Sequence, residues 1–166
     1  GGHTISDVYI TTTATNQGLI NIIGPNGYVH DLTVGGEINS AFNYTGGIVG
    51  TLNGKLANCT NRIAVFNSKQ YTGGVAGLVT DTGSMENVVN EGEITSSNAY
   101  VAGVAGYVNE GARLYHVANK GKVSQNGTAN YIAGLYYIYT QNYSASVKHL
   151  SYVYSKVPDV DEASIA

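Results

Sequence analysis

YTGGIVG at Tyr44–Gly50 returns as YTGGVAG at Tyr71–Gly77, as YVAGVAG at Tyr100–Gly106 and, altered, as YIAGLYY at Tyr131–Tyr137. The leading tyrosines stand 27, 29 and 31 residues apart, a period at which self-similarity marks stacked supersecondary repeats. Each unit is too short to close a core alone and contains no run of helical period. Its apolar face must therefore be covered by the next unit.

Aligning on the glycine after each block gives units starting near Gly27, Gly54, Gly83 and Gly111. Apolar residues then fall into columns while their neighbours vary. One column is Ile5, Val29, Leu56, Met85, Leu114 and Val147; a second is Val8, Leu32, Cys59, Val88, Val117 and Leu150. A third holds Ile38, Val65, Ile94 and Val123. Frequent Val, Ile, Thr and Tyr with only two prolines favour strands and tight turns. The pattern predicts an all-β chain, a parallel β-helix or β-solenoid of about five to six coils with a repeat of about 27–32 residues. Residues 1–155 form the repeat domain, with a weak first coil over 1–26, clear coils over 27–125 and atypical last coils over 126–155. Residues 156–166, which carry Pro158 and three acids, read as a tail or cap over the end of the stack. Asn61, Asn90 and Asn119 share one position and read as a ladder of side-chain amides at a corner. The block glycines mark bends or places without room for a Cβ.

Gly47-Ile48-Val49-Gly50, Gly74-Val75-Ala76-Gly77 and Gly103-Val104-Ala105-Gly106 resemble the GLUG motif of repeats in exported bacterial surface proteins. The segment Leu56-Ala57-Asn58-Cys59 and the corners Asn90-Glu91-Gly92-Glu93-Ile94 and Asn119-Lys120-Gly121-Lys122-Val123 extend the resemblance over residues 18–125. Gly18-Leu19-Ile20-Asn21 keeps half the signature, and Gly134-Leu135-Tyr136-Tyr137 lacks the second glycine. Such repeats occur in adhesin-like proteins and beside metallopeptidases that cleave immunoglobulin A. The resemblance implies an extracellular, cell-surface β-helix module with adhesive contacts to host glycan or protein. It implies no reaction, because repeats of this kind accompany different activities.

Composition narrows the partners. A net charge of −3 without a Lys/Arg cluster leaves no footprint for nucleic-acid phosphates. No apolar run approaches a membrane span, and residues 1–30 lack the plan of a signal peptide. The abrupt Gly1-Gly2 opening on strand-like sequence points to a piece trimmed from a longer precursor. Cys59, the only cysteine, has no disulfide partner and reads as core. No cofactor is expected.

Three constellations hold possible chemistry. Tyr44, Tyr71, Tyr100 and Tyr131 form either an aromatic row for successive sugar rings or a packing ladder. Tyr136, Tyr137, Tyr139 and Tyr143 open a tyrosine-rich region that is either a partner surface or a cap. A polar column of Asp7, Asp31, Asn58, Asn87, His116 and His149 places Asp7 beside Asp31, the one acid pair with which a polysaccharide-acting β-helix enzyme would work. Its competing reading is a solvated corner. His116 and His149 supply two metal ligands, too few for a site. The first reading is therefore a non-catalytic structural and adhesive module, with self-association end to end or side by side as a further partner. The alternative is an enzyme or carbohydrate-binding appendage acting on polysaccharide.

Overall fold

A computed structural model describes residues 2–12 and 14–125, together with three short strands beyond them. The first coil holds β1 (His3–Thr12) and β2 (Ile20–Ile23). The second holds β3 (Tyr28–His30), β4 (Leu32–Ser40), β5 (Thr45–Gly46) and β6 (Val49–Leu52). The third holds β7 (Lys55–Asn67), β8 (Thr72–Gly73) and β9 (Ala76–Val79); the fourth holds β10 (Ser84–Asn90), β11 (Ile94–Ser96), β12 (Val101–Ala102) and β13 (Ala105–Val108). Then follow β14 (Arg113–Asn119), β15 (Val123–Gln125), β16 (Ile132–Ala133), β17 (Tyr136–Ile138) and β18 (Tyr154–Ser155).

Every described pairing joins a strand to its counterpart one coil away, in parallel. Three sheets result. The first runs β1-β4-β7-β10-β14-β18, with β3, β11 and β15 paired alongside; the second runs β5-β8-β12-β16 and the third β2-β6-β9-β13-β17. Among the described residues the chain is a β-solenoid of about four turns, where five to six were expected over the whole sequence.

From Val29 onward the expected columns are the observed registers. Val29, Leu56, Met85 and Leu114 pair in sequence, as do Cys59, Val88 and Val117, and Ile38, Val65, Ile94 and Val123. Most of these side chains are buried, and Cys59 lies among them. Val147 and Leu150 lie outside the described residues. Apolar strands of this kind are stable only because the coil above and the coil below remove both neighbours from water.

The first coil departs from expectation. Ile5 pairs with Val34 and Val8 with Gly36, so neither joins the column assigned to it. Ile10 takes the place beside Ile38 instead. Placing Val8 beside Leu32 would have put Ala14, not Ile10, into the third column, and the larger side chain covers more of Ile38. An extra residue in β1 between Ile5 and Val8 absorbs the slip as a bulge. Gly36 accommodates it at φ +138, where an added Cβ would strike the Val8 backbone.

The corners are held by buried amides. Asn61 Nδ2 donates to Asn90 Oδ1, and Asn90 Nδ2 to Asn119 Oδ1, each at 2.8 Å. Each amide also bridges the backbone two residues on: Asn90 Nδ2 donates to Gly92 O at 2.9 Å while Gly92 N donates to Asn90 Oδ1 at 3.3 Å. These amides are fully buried, and the ladder satisfies groups that would otherwise cost about 1–3 kcal/mol apiece. The block glycines press on it. A Cβ on Gly47 or Gly74 would overlap Asn61 or Asn90 and the neighbouring coil's backbone.

Candidate functional site

Directly before the second sheet, each coil turns through one residue in the left-handed backbone region. In the second, third and fourth coils that residue is Tyr44, Tyr71 and Tyr100, at φ 62, 65 and 62. Glycine or asparagine occupies this region at little cost, whereas other L-residues lose about 1–2 kcal/mol there. Asn16, at φ 59, is the counterpart in the first coil, as the bonds from Gln17 N to Tyr44 O and from Thr45 N to Tyr71 O show. A ring is thus carried three times where the turn alone is served by an asparagine.

The rings form a pile. Tyr44 and Tyr71 have centroids 5.0 Å apart at 11°, and Tyr71 and Tyr100 4.9 Å apart at 21°. Tyr107 closes on Tyr71 edge-on at 5.1 Å. Centroid spacing follows the coil rise of about 4.8 Å, so Tyr71 has a stacked ring on each face. All three residues are half-buried. Desolvation, then the neighbouring Tyr44 and Tyr100, push the Tyr71 phenol above its ordinary value. The last glycine of each block makes room: a Cβ on Gly77 would strike the Tyr44 backbone, and one on Gly106 that of Tyr71. Tyr131, Tyr139 and Tyr143 lie outside the described residues. Tyr136 and Tyr137 lie in β17, and their side chains are also outside them.

The acid pair is not assembled. His3 pairs with Leu32, which sets Asp31 level with Gly2, so Asp7 stands roughly 15 Å further along the strand. Asp31 accepts instead from Asn58 Nδ2 at 3.1 Å and from His30 Nδ1 at 2.9 Å. Those bonds, His30 first, hold its carboxyl below the ordinary value. The column continues as an exposed ladder: Asn87 Nδ2 donates to Asn58 Oδ1 at 3.1 Å, and His116 Nδ1 donates to Asn87 Oδ1 at 3.1 Å. Asp31, Asn58, Asn87 and His116 all have positive φ, which short polar side chains tolerate. This is a corner, and its hydrogen bonds run between coils. His149 lies outside the described residues. Among the described residues no three His, Cys, Asp or Glu side chains converge on a metal position, and no helix is long and apolar enough to cross a membrane.

A column of alternating charge went unread in the sequence. Arg62 Nε lies 2.9 Å from Glu91, and Lys120 Nζ 3.4 Å from the same carboxylate. Its signal was available, since each residue directly follows a ladder asparagine. Tyr107 was also missed, because it follows the block and has no aromatic counterpart at Leu78.

Comparison with protein-family models, with curated proteins and with solved structures returns no match to this chain.

Proposed function

We propose that the chain is a non-catalytic structural and adhesive repeat module of a secreted or cell-surface bacterial protein, and that the side of its rod contacts host glycan or protein. The observation that carries the reading is the tyrosine pile. A corner that needs only to turn is served by Asn16, yet the next three coils accept left-handed strain to hold a ring at a half-exposed edge. Retained strain of this kind accompanies either reinforcement or contact, the two parts of the proposal. The extracellular setting follows from the GLUG resemblance. Ile5 and Tyr9, both exposed on the outermost described strand of the first sheet, favour end-to-end self-association as an additional contact. The enzymatic alternative loses its acid pair, since Asp7 and Asp31 are held apart.

The test is binding of the folded chain to host-cell extracts displayed as glycan and protein arrays, with Tyr44→Ala and Tyr71→Ala variants compared. Capture of a glycan or a protein by the wild-type chain supports the adhesive part. Absence of any bound glycan or protein, with circular dichroism showing intact β structure, removes it and leaves a purely structural module.

A further inference from the structure

Past the third apolar column, a second polar corner opens outward. Thr11, Asn39, Phe66 and Thr95 are register partners in four successive coils and stand in one row, spaced by the coil rise of about 4.8 Å. Two residues on, Ala41, Ser68 and Ser97 form a second row, tied to the coil before through Ser68 N to Ser40 O at 3.1 Å and Ser97 N to Asn67 O at 3.0 Å. Between the rows runs a groove of about 370 Å³. Its floor is Ser40, Asn67 and Ser96, all buried.

The floor's polar atoms are already used. Ser40 Oγ accepts from Thr45 Oγ1 at 2.9 Å, and Asn67 Nδ2 donates to Thr72 Oγ1 at 2.9 Å and to Phe42 O at 3.1 Å. The rim differs: the hydroxyls of Thr11, Ser68, Thr95 and Ser97 have no hydrogen-bond partner among the described residues. No ionisable side chain lines the groove. Phe66 is 36% exposed, and its register neighbours are Asn39 and Thr95. No described ring covers its faces, in contrast to Tyr71.

We propose that this groove binds an extended, uncharged oligosaccharide. The proposal rests on the adhesive reading above and gives it a site and a ligand class. A ring face of a pyranose is apolar and fits the Phe66 face, while sugar hydroxyls exchange hydrogen bonds with the four rim hydroxyls. The coil rise is close to the length of one pyranose residue in an extended chain, so each coil meets one ring. A charged polymer would be desolvated against a groove with no counter-charge. An extended peptide would need backbone donors and acceptors that the parallel ladders already consume.

The experiment is a binding screen of the folded chain against neutral linear oligosaccharides of increasing length and against acidic glycans, with Phe66→Ala, Thr95→Glu and Tyr115→Ala variants checked by circular dichroism and melting. The expected result is neutral-glycan binding that strengthens up to about four rings. Phe66→Ala should weaken it at least about tenfold, Thr95→Glu should weaken it too, and Tyr115→Ala, exposed elsewhere, should not. Binding confined to acidic glycans, or neutral-glycan binding that Phe66→Ala leaves intact while Tyr71→Ala abolishes it, overturns the groove and leaves the adhesive reading standing. Capture of a protein but no glycan does the same. Failure to bind any glycan here, together with no protein captured on the arrays above, overturns both.

Discussion

The tyrosine at each left-handed corner makes opposite demands on backbone and side chain. Tyr71 is the sharpest case, because its ring is stacked on both sides and met edge-on by Tyr107. Removing that ring forfeits two stacked contacts and one edge contact, together about 2–3 kcal/mol for a half-buried side chain. What replaces it then matters through the backbone alone. Alanine keeps the left-handed penalty while glycine does not. Tyr71→Gly should therefore be more stable than Tyr71→Ala by about 1 kcal/mol, the reverse of the usual order in a strand. Chemical denaturation of the two variants decides this; an alanine variant equal to or better than the glycine one would show that φ 65 carries no cost in the folded chain.

At the level of elements, two side-chain ladders that both run between coils differ in burial. Asn90 is fully buried, and its loss takes one partner from Asn61 Nδ2, which keeps Ile63 O, one from Asn119 Oδ1, which keeps Gly121 N, and the side-chain partners of the Gly92 backbone. Asn87 performs the same cross-coil bridging in solvent. Asn90→Ala should cost about 3 kcal/mol or more, and Asn87→Gly under about 1 kcal/mol, because water replaces the lost partners only at the second. Equal losses in equilibrium unfolding would remove burial as the cause. Gly74→Ala belongs with the first, since its Cβ would press on Asn90 and the Gly103 carbonyl, and should cost about 1–3 kcal/mol. The buried ladder was legible in the sequence because identical residues recur at a constant spacing of 29, and so were the columns from Val29 onward. The first coil was not. Ile5-Ser6-Asp7-Val8 imitates Val29-His30-Asp31-Leu32, and only the pairing of Ile10 with Ile38 and the bulge between Ile5 and Val8, opposite Gly36, reveal that the imitation is out of register. The groove rows were invisible for a different reason. Thr11, Asn39, Phe66 and Thr95 share a position but no chemistry, so alignment cannot flag them.

Across the whole rod, the exposed charges act between coils. Asn58 bridges to Asp31, Lys55 to Glu86 at 2.8 Å, and Arg62 and Lys120 flank Glu91. Each carboxyl is held below its ordinary value: Asp31 by hydrogen bonds from His30 and Asn58, Glu86 by Lys55, and Glu91 by Arg62. Lys55 is raised by Glu86 in return. A carboxyl depressed in the folded state contributes stability above its unfolded value, and that contribution is lost as pH falls through the folded value. A raised lysine contributes below its unfolded value and loses the contribution as pH rises through the folded one. The acid limb should therefore begin below 4.5 for the glutamates and below 3.8 for Asp31, and the basic limb above 10.5. Melting temperature should stay level between these limits and fall on both sides. Because these pairs are exposed, each is a weak contributor that salt attenuates, so the glutamate part of the acid limb should flatten in 1 M NaCl. Combining Glu86→Gln with Glu91→Gln should also reduce the acid-side slope without moving the plateau far. A slope unchanged in that double variant would place the acid sensitivity outside these inter-coil pairs, and a melting temperature that rises below 4.5 would reverse the sign assigned to all three carboxyls.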